Sequence, residues 1–199
     1  AERPGVIQSI VHLSLTQACR AAASWLVRQP GVPVSVNLPA TVLNGHTLVK
    51  TVEAVLSDTS LPAEWLEVEM CGRMVPARLW DEHLPTLRRL SEIGVSIGLD
   101  RFGRDPWSLL VLGMLPVAKV KTDQSLLHGV PDDPRATAAL RSTFDLLNRV
   151  GVEVVAVGVE TERQLDWLQQ SGCHQAQGHQ LGSPVQIETF CRRHVDHVA

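Results

Sequence analysis

Short runs rich in β-branched residues alternate with longer segments of helical period along the whole chain, and this alternation constrains the fold more than any other feature. The strand-like runs are Pro33–Leu38 (PVSVNL), Leu66–Cys71 (LEVEMC), Val95–Phe102 (VSIGLDRF), Val117–Thr122 (VAKVKT), Glu153–Val159 (EVVAVGV) and a short Gln175–Gln177. Between them lie helical patterns at Ser14–Gln29, His46–Leu56, Pro76–Ile93, Trp107–Leu115, Pro134–Val150 and Thr161–Ser171, with a last one from Ile187. The punctuation agrees: Gly94 and Gly151 stand where a helix C-terminus wants glycine, Pro134 at a first helical position, and Thr161 at an N-cap. Strict strand-then-helix order predicts parallel strands joined by crossover helices. Two architectures satisfy it, an open doubly wound sheet or a (β/α)8 barrel, and a full barrel takes roughly 250 residues. Six strands in 199 residues match either an open sheet or a barrel without its first two strands.

A chain of this length can bury one substantial core, and no repeat or low-complexity linker interrupts it, so a single domain is expected. Net charge is -3 and no long Lys/Arg block occurs, which argues against a partner that is a nucleic-acid polymer. No apolar run reaches the roughly 20 residues that span a bilayer, and no charged-then-apolar leader opens the sequence. Opening on Ala1, close to a helical pattern, the chain is expected to be a piece of a longer polypeptide. Cys19, Cys71, Cys173 and Cys191 are scattered without a C-x-x-C pair, which predicts reduced thiols in a cytoplasmic protein.

In parallel α/β architectures chemistry sits at the carboxyl ends of the strands. Those ends carry Asn37, Glu69, Asp100, Lys121, Glu160 and Gln177. Each alone reads as a capping or solvated loop residue. Six together, closing otherwise apolar runs, suit an oxygen-ligated hard cation with a basic partner, the equipment of phosphoester chemistry. Asn37 and Asp100 weigh most, because strands disfavour both types. Lys121 can contact a phosphate or simply pair with Asp100.

At these residues the sequence resembles the EAL domain, a TIM-barrel-like (β/α)8 family that hydrolyses cyclic di-GMP to linear pGpG with Mg2+ or Mn2+. Val34–Pro39 (VSVNLP) resembles VSVNLS, Leu66–Arg73 (LEVEMCGR) resembles LELEITES, and Gly98–Gly103 (GLDRFG) resembles the IDDFG segment. Lys121-Thr122-Asp123 resembles KID, Ala156–Glu160 (AVGVE) resembles AEGVE, and Gln177-Gly178 followed by Ser183-Pro184 resembles the last strand. Pro4–Trp25 resembles the helix that precedes VNLS. The resemblance implies metal ligands at Asn37, Glu69 and Asp100, catalytic roles at Lys121 and Glu160, and ligand contacts from Asn37, Asp100, Glu160 and Gln177. It also implies an incomplete barrel, its first two strands missing along with the EAL glutamate.

The departures from the pattern bear on function. The second Asp of DDFG is Arg101, the first Glu of AEGVE is Val157, and the second Glu of EITE is Gly72. The loop after DDFG reads Arg104–Ser108 (RDPWS). Two divalent ions about 4 Å apart repel strongly and need clustered carboxylates, yet here one acid has become a cation and another an isopropyl group. The expected function is therefore a degenerate, non-hydrolytic EAL domain in cyclic-di-GMP signalling, a regulatory or protein-interaction module in a multidomain protein. On this reading the site residues are vestigial and no cofactor is expected, Mg2+ or Mn2+ being the cofactor of an active form. The alternatives are a non-hydrolytic cyclic-di-GMP receptor and an active phosphodiesterase. A protein partner or homodimer is expected, with the apolar Trp107–Leu115 (WSLLVLGML) a candidate surface.

The remaining candidates are weaker. His174 and His179 with Cys173, and the pair His194 and His197, lack regular ligand spacing and read as surface histidines. Trp25, Trp80 and Trp167 fall at helix-core positions, whereas Trp107 sits in the altered loop, where it can stack on a ligand or pack over the site.

Overall fold

In the computed structural model, residues 4–26, 31–43, 47–71, 80–104 and 109–194 are described. They form α1 (Pro4–Leu26), β1 (Val34–Leu38), α2 (Thr47–Thr59), β2 (Leu66–Cys71), α3 (Trp80–Glu92), β3 (Ser96–Phe102), α4 (Leu109–Met114), β4 (Lys119–Thr122), α5 (Pro134–Arg149), β5 (Glu153–Val157), α6 (Glu162–Gln169), β6 (Gln175–Gln177) and α7 (Ile187–His194). Strand order follows chain order from β1 to β6, and the strand pairings β1–β2, β3–β4, β4–β5 and β5–β6 are parallel. The architecture is the parallel α/β one that the alternation predicts.

The chain divides into two compact units. The first comprises residues 1–70, 74–97 and 184–199. Here α1 packs on α2 and β1, and α2 on α3. Its core is Leu15, Leu43, Val52, Leu66, Val68, Leu87 and Leu90, all fully buried. β2 is buried from Leu66 to Met70, as a parallel strand covered on both faces should be, yet it holds two carboxylates, Glu67 and Glu69. Trp25 closes α1 by donating its indole N–H to the Val32 carbonyl at 3.1 Å, and its ring packs 5.4 Å from that of Phe190 on α7.

The second unit comprises residues 71–73 and 98–183. Its core, Leu99, Val120, Phe144, Leu147, Val154, Ala156 and Val159, is built from β3–β5, the turn after β5 and the buried stripe of α5. Helix α5 starts as its sequence predicts, with Pro134 in the first turn and Asp133 accepting the Arg135 N–H at 2.8 Å. Thr161 caps α6 in a reciprocal capping box with Gln164.

The structure shifts several of the sequence boundaries. α1 begins at Pro4, where the resemblance of Pro4–Trp25 to the helix before VNLS places it and ten residues before the amphipathic pattern at Ser14, whose stripe is blurred upstream by the exposed Val6, Ile10 and Leu13. β5 ends at Val157, not Val159, because Gly158 turns the chain with a φ of 89°. Val150 caps α5 rather than belonging to it, and α6 stops at Gln169. In α4, Leu112 is buried and Met114 exposed, and Leu115 just beyond the helix is buried. Gly72, Trp107 and His197, and the start of the helix expected from Pro76, lie outside the described residues.

Candidate functional site

In the first unit, parallel register sets Asn37 beside Glu69 and Ser35 beside Glu67 across the β1–β2 ladder. Side chains alternate along a strand, so these four share one face. Asn37 is exposed and Glu69 is 3% exposed. Glu67 is equally buried and accepts the Ser35 hydroxyl at 3.0 Å. Sequence reasoning passed over Glu67, although its place two residues before Glu69 puts it on the same face.

The second unit gathers the other candidates. At the end of β3 the pairing to β4 slips between Leu99 and Phe102, and Arg101 sits in that irregularity with a φ of 57°. This left-handed conformation suits Gly, Asn or Asp, and an arginine there is uncommon. The kink is held from both sides: the Arg101 N–H donates to Asp100 Oδ1 at 2.8 Å, and the Arg104 N–H to the Arg101 carbonyl at 3.2 Å. Gly103 follows with a φ of 95°, packed against Leu126 so closely that a Cβ would collide with that side chain. β4 is tied on when the Asp123 N–H donates to the Phe102 carbonyl at 2.9 Å.

Arg101 Nε stands 3.9 Å from Asp100 Oδ2, and Arg104 Nη1 stands 3.9 Å from Asp123 Oδ2. Asp123 is 6% exposed, and its carboxylate accepts the Ser125 N–H at 3.0 Å. Burial pushes its pKa up, but the Ser125 hydrogen bonds and the Arg104 and Arg101 cations outweigh that and hold it below the usual carboxylate value. Lys121, partly buried, pairs in register with Val155.

Val157 ends β5 with its N–H donated to the Thr122 hydroxyl at 3.3 Å. The turn beyond it is fixed by the last strand: the Gln177 carbonyl accepts both the Gly158 N–H at 2.8 Å and the Val159 N–H at 3.1 Å. Glycine is required at 178, where any Cβ would meet the Val159 backbone. Glu160 and Gln177 are exposed, and Gln164 Oε1 accepts the Glu160 N–H at 2.9 Å. Asp100, Arg101, Arg104, Asp123 and Val157 all line one cleft of about 270 Å³. A second cavity of about 290 Å³, which includes Glu160 and Gln164, shares Arg104, Asp123 and Gln124 with it.

The residues lining this cleft do not supply the clustered carboxylates that a pair of divalent ions needs. Both aspartates in the cleft face a guanidinium, the neighbouring position is a hydrocarbon, and among the described residues no three His, Cys, Asp or Glu side chains cluster so as to hold a metal. His174 is used structurally, its Nδ1 accepting the Val154 N–H at 3.1 Å. Cys19 and Cys173 carry free thiols.

Parallel strands with crossover helices define an α/β fold, and each unit carries polar groups at the carboxyl ends of its own strands. Residues 1–184 match the EAL domain model, and the chain belongs to that family. It is 34% identical over 96% of its length to an uncharacterized signaling protein of Caulobacter vibrioides, covering 23% of that protein. It is 32% identical, again over 96% of its length, to the cyclic di-GMP phosphodiesterase NbdA of Pseudomonas aeruginosa, covering 25%. The chain thus spans about a quarter of the length of these curated relatives. Among solved structures, the MucR phosphodiesterase in complex with c-di-GMP superposes with a TM-score of 0.85 at 33% identity, covering 94% of this chain and 75% of that one. The barrel-type fold expected from the motifs is the one these structures share.

Proposed function

We propose that this EAL domain serves cyclic-di-GMP signalling without hydrolysing the dinucleotide, as a regulatory or protein-interaction module. The observation that carries the reading is the cleft at the end of β3, where Arg101 and Val157 stand beside Asp100. A guanidinium brings positive charge to the place where two divalent ions would need negative charge, and at such short range like charges repel by several kcal/mol even at a high effective dielectric (about 4 kcal/mol per unit pair at 4 Å). An isopropyl group offers no ligand at all. Asn37, Glu69, Asp100, Lys121, Glu160 and Gln177 are then inherited positions whose chemistry lacks its cation.

The test is direct. Purified chain incubated with cyclic di-GMP and either Mg2+ or Mn2+ should yield no pGpG by chromatography. Turnover above a matched blank would refute the reading.

A second reading, a non-hydrolytic receptor for cyclic di-GMP, is favoured by the two half-exposed guanidinium groups in that cleft. A homologous phosphodiesterase structure holds c-di-GMP. Calorimetric titration separates the two: measurable affinity for the dinucleotide supports a receptor, and its absence supports a pure interaction module. A cytoplasmic location belongs to the same proposal. No helix among the described residues is long and apolar enough to cross a membrane.

A further inference from the structure

From the second unit we infer that Arg101 and Arg104 form a metal-independent binding site for a phosphate-bearing anion. The inference rests on the non-hydrolytic reading and adds to it the ligand chemistry and the residues that supply it. The side chains of Arg101 and Arg104 are 49% and 57% exposed, and both line the same cleft of about 270 Å³. Each is engaged by one carboxylate oxygen at 3.9 Å, a long single contact rather than a bidentate clamp. A guanidinium presents five N–H donors in a planar fork, and one such contact leaves most of them directed elsewhere.

One oxygen of each carboxylate is taken by the backbone. Asp100 Oδ1 accepts the Arg101 N–H, and Asp123 Oδ1 accepts the Ser125 N–H. Each acid thus divides its oxygens between its own loop and one long contact to a guanidinium, which leaves the other guanidinium donors to the cleft.

Charge decides whether an anion can enter unaided. With Asp at 101 and Glu at 157 the cleft would hold four acids against Arg104, and a phosphodiester would need divalent ions to bridge it. With Arg101 and Val157 the two acids and two guanidinium groups are near balance, and the ion that would have bridged is replaced by a tethered cation. Thr122 and Gln124 add neutral polar groups to the lining. The neighbouring cavity of about 290 Å³ gives a larger ligand room beyond its phosphate, with Glu160 and Gln164 on its wall. Arg101 holds its place in a left-handed backbone that arginine disfavours, the kind of outlier that clusters at ligand clamps.

The experiment is equilibrium binding to the whole chain in EDTA, with cyclic di-GMP and inorganic phosphate as separate probes. Arg101→Asn is the first variant, because Asn tolerates the left-handed conformation and removes only the cation, and Arg104→Ala is the second; melting curves confirm that both fold. Binding of either probe in EDTA, weakened roughly tenfold or more by each variant and falling steeply with salt, supports the inference. Phosphate binding alone identifies a free phosphate as the ligand; dinucleotide binding displaced by phosphate identifies the cyclic dinucleotide. Binding that requires Mg2+ or Mn2+, equal affinity of the variants and the parent, or no binding of either probe overturns it. Formation of pGpG in the same samples would refute the non-hydrolytic reading independently of how the arginine variants behave.

Discussion

Arg101 concentrates what is unusual about this chain at the scale of one residue. Its φ of 57° costs an arginine conformational energy that Asn or Gly escapes, and its only described ion pair is a 3.9 Å contact at half exposure, worth little in water. Arg101→Asn is therefore expected to raise unfolding free energy by about 0.5–1 kcal/mol in denaturant titrations, even as it removes a charge from the cleft. The identity of Arg101 and its consequence for local charge were legible in the sequence. The bulge that holds it was not, because a register slip leaves no period in a seven-residue strand. Glu67 escaped for a related reason: only the parity it shares with Glu69 marks it. Cys19 gives a second test at this scale. Burial raises its thiol to about 11, so in the native state it should react with thiol reagents far more slowly than in denaturant.

Among the elements, α6 and α3 carry the sharpest expectations. The Thr161–Gln164 capping box closes the start of α6, and Gln164 also donates to the Leu127 carbonyl at 3.2 Å, tying the turn that bears Glu160 to the loop beyond β4. Thr161→Ala should cost about 1 kcal/mol, read as a lower denaturation midpoint at unchanged slope. In α3, His83 is 2% exposed. Burial lowers its pKa from 6.5, against an opposing pull from Glu82. The unfolded chain then binds more protons than the folded one once pH falls below about 6.5. The contribution of His83 to stability is fully present above that pH and is lost as pH drops towards the depressed folded value. His83→Gln should flatten that slope in melting curves taken from pH 7 to pH 5. The helices and strands were readable in the sequence where burial imposes a clean period, as in β2 and α5. Periodicity alone missed the start of α1, where Val6, Ile10 and Leu13 face outward and blur the amphipathic stripe, while the resemblance of Pro4–Trp25 to the helix before VNLS placed it. Periodicity also failed at the end of β5, where a glycine turn hides inside an apolar run.

For the whole molecule, the family and its barrel-type fold were carried by six ordered motifs, whereas the fate of the site depends on what two substituted side chains do to a shared cleft. Motifs name the positions, but only the structure shows Arg101, Arg104 and Val157 lining one cavity with Asp100 and Asp123. Replacing Arg101 by Asp and Val157 by Glu together should return acidity to that cleft, and the double variant is expected to bind Mn2+ more tightly than the parent, measured by calorimetry. The most direct test of the account is the same Mn2+ titration on the unaltered chain in the presence of cyclic di-GMP. Charge balance predicts no stoichiometric heat of metal binding. Two manganese ions taken up per chain would contradict it.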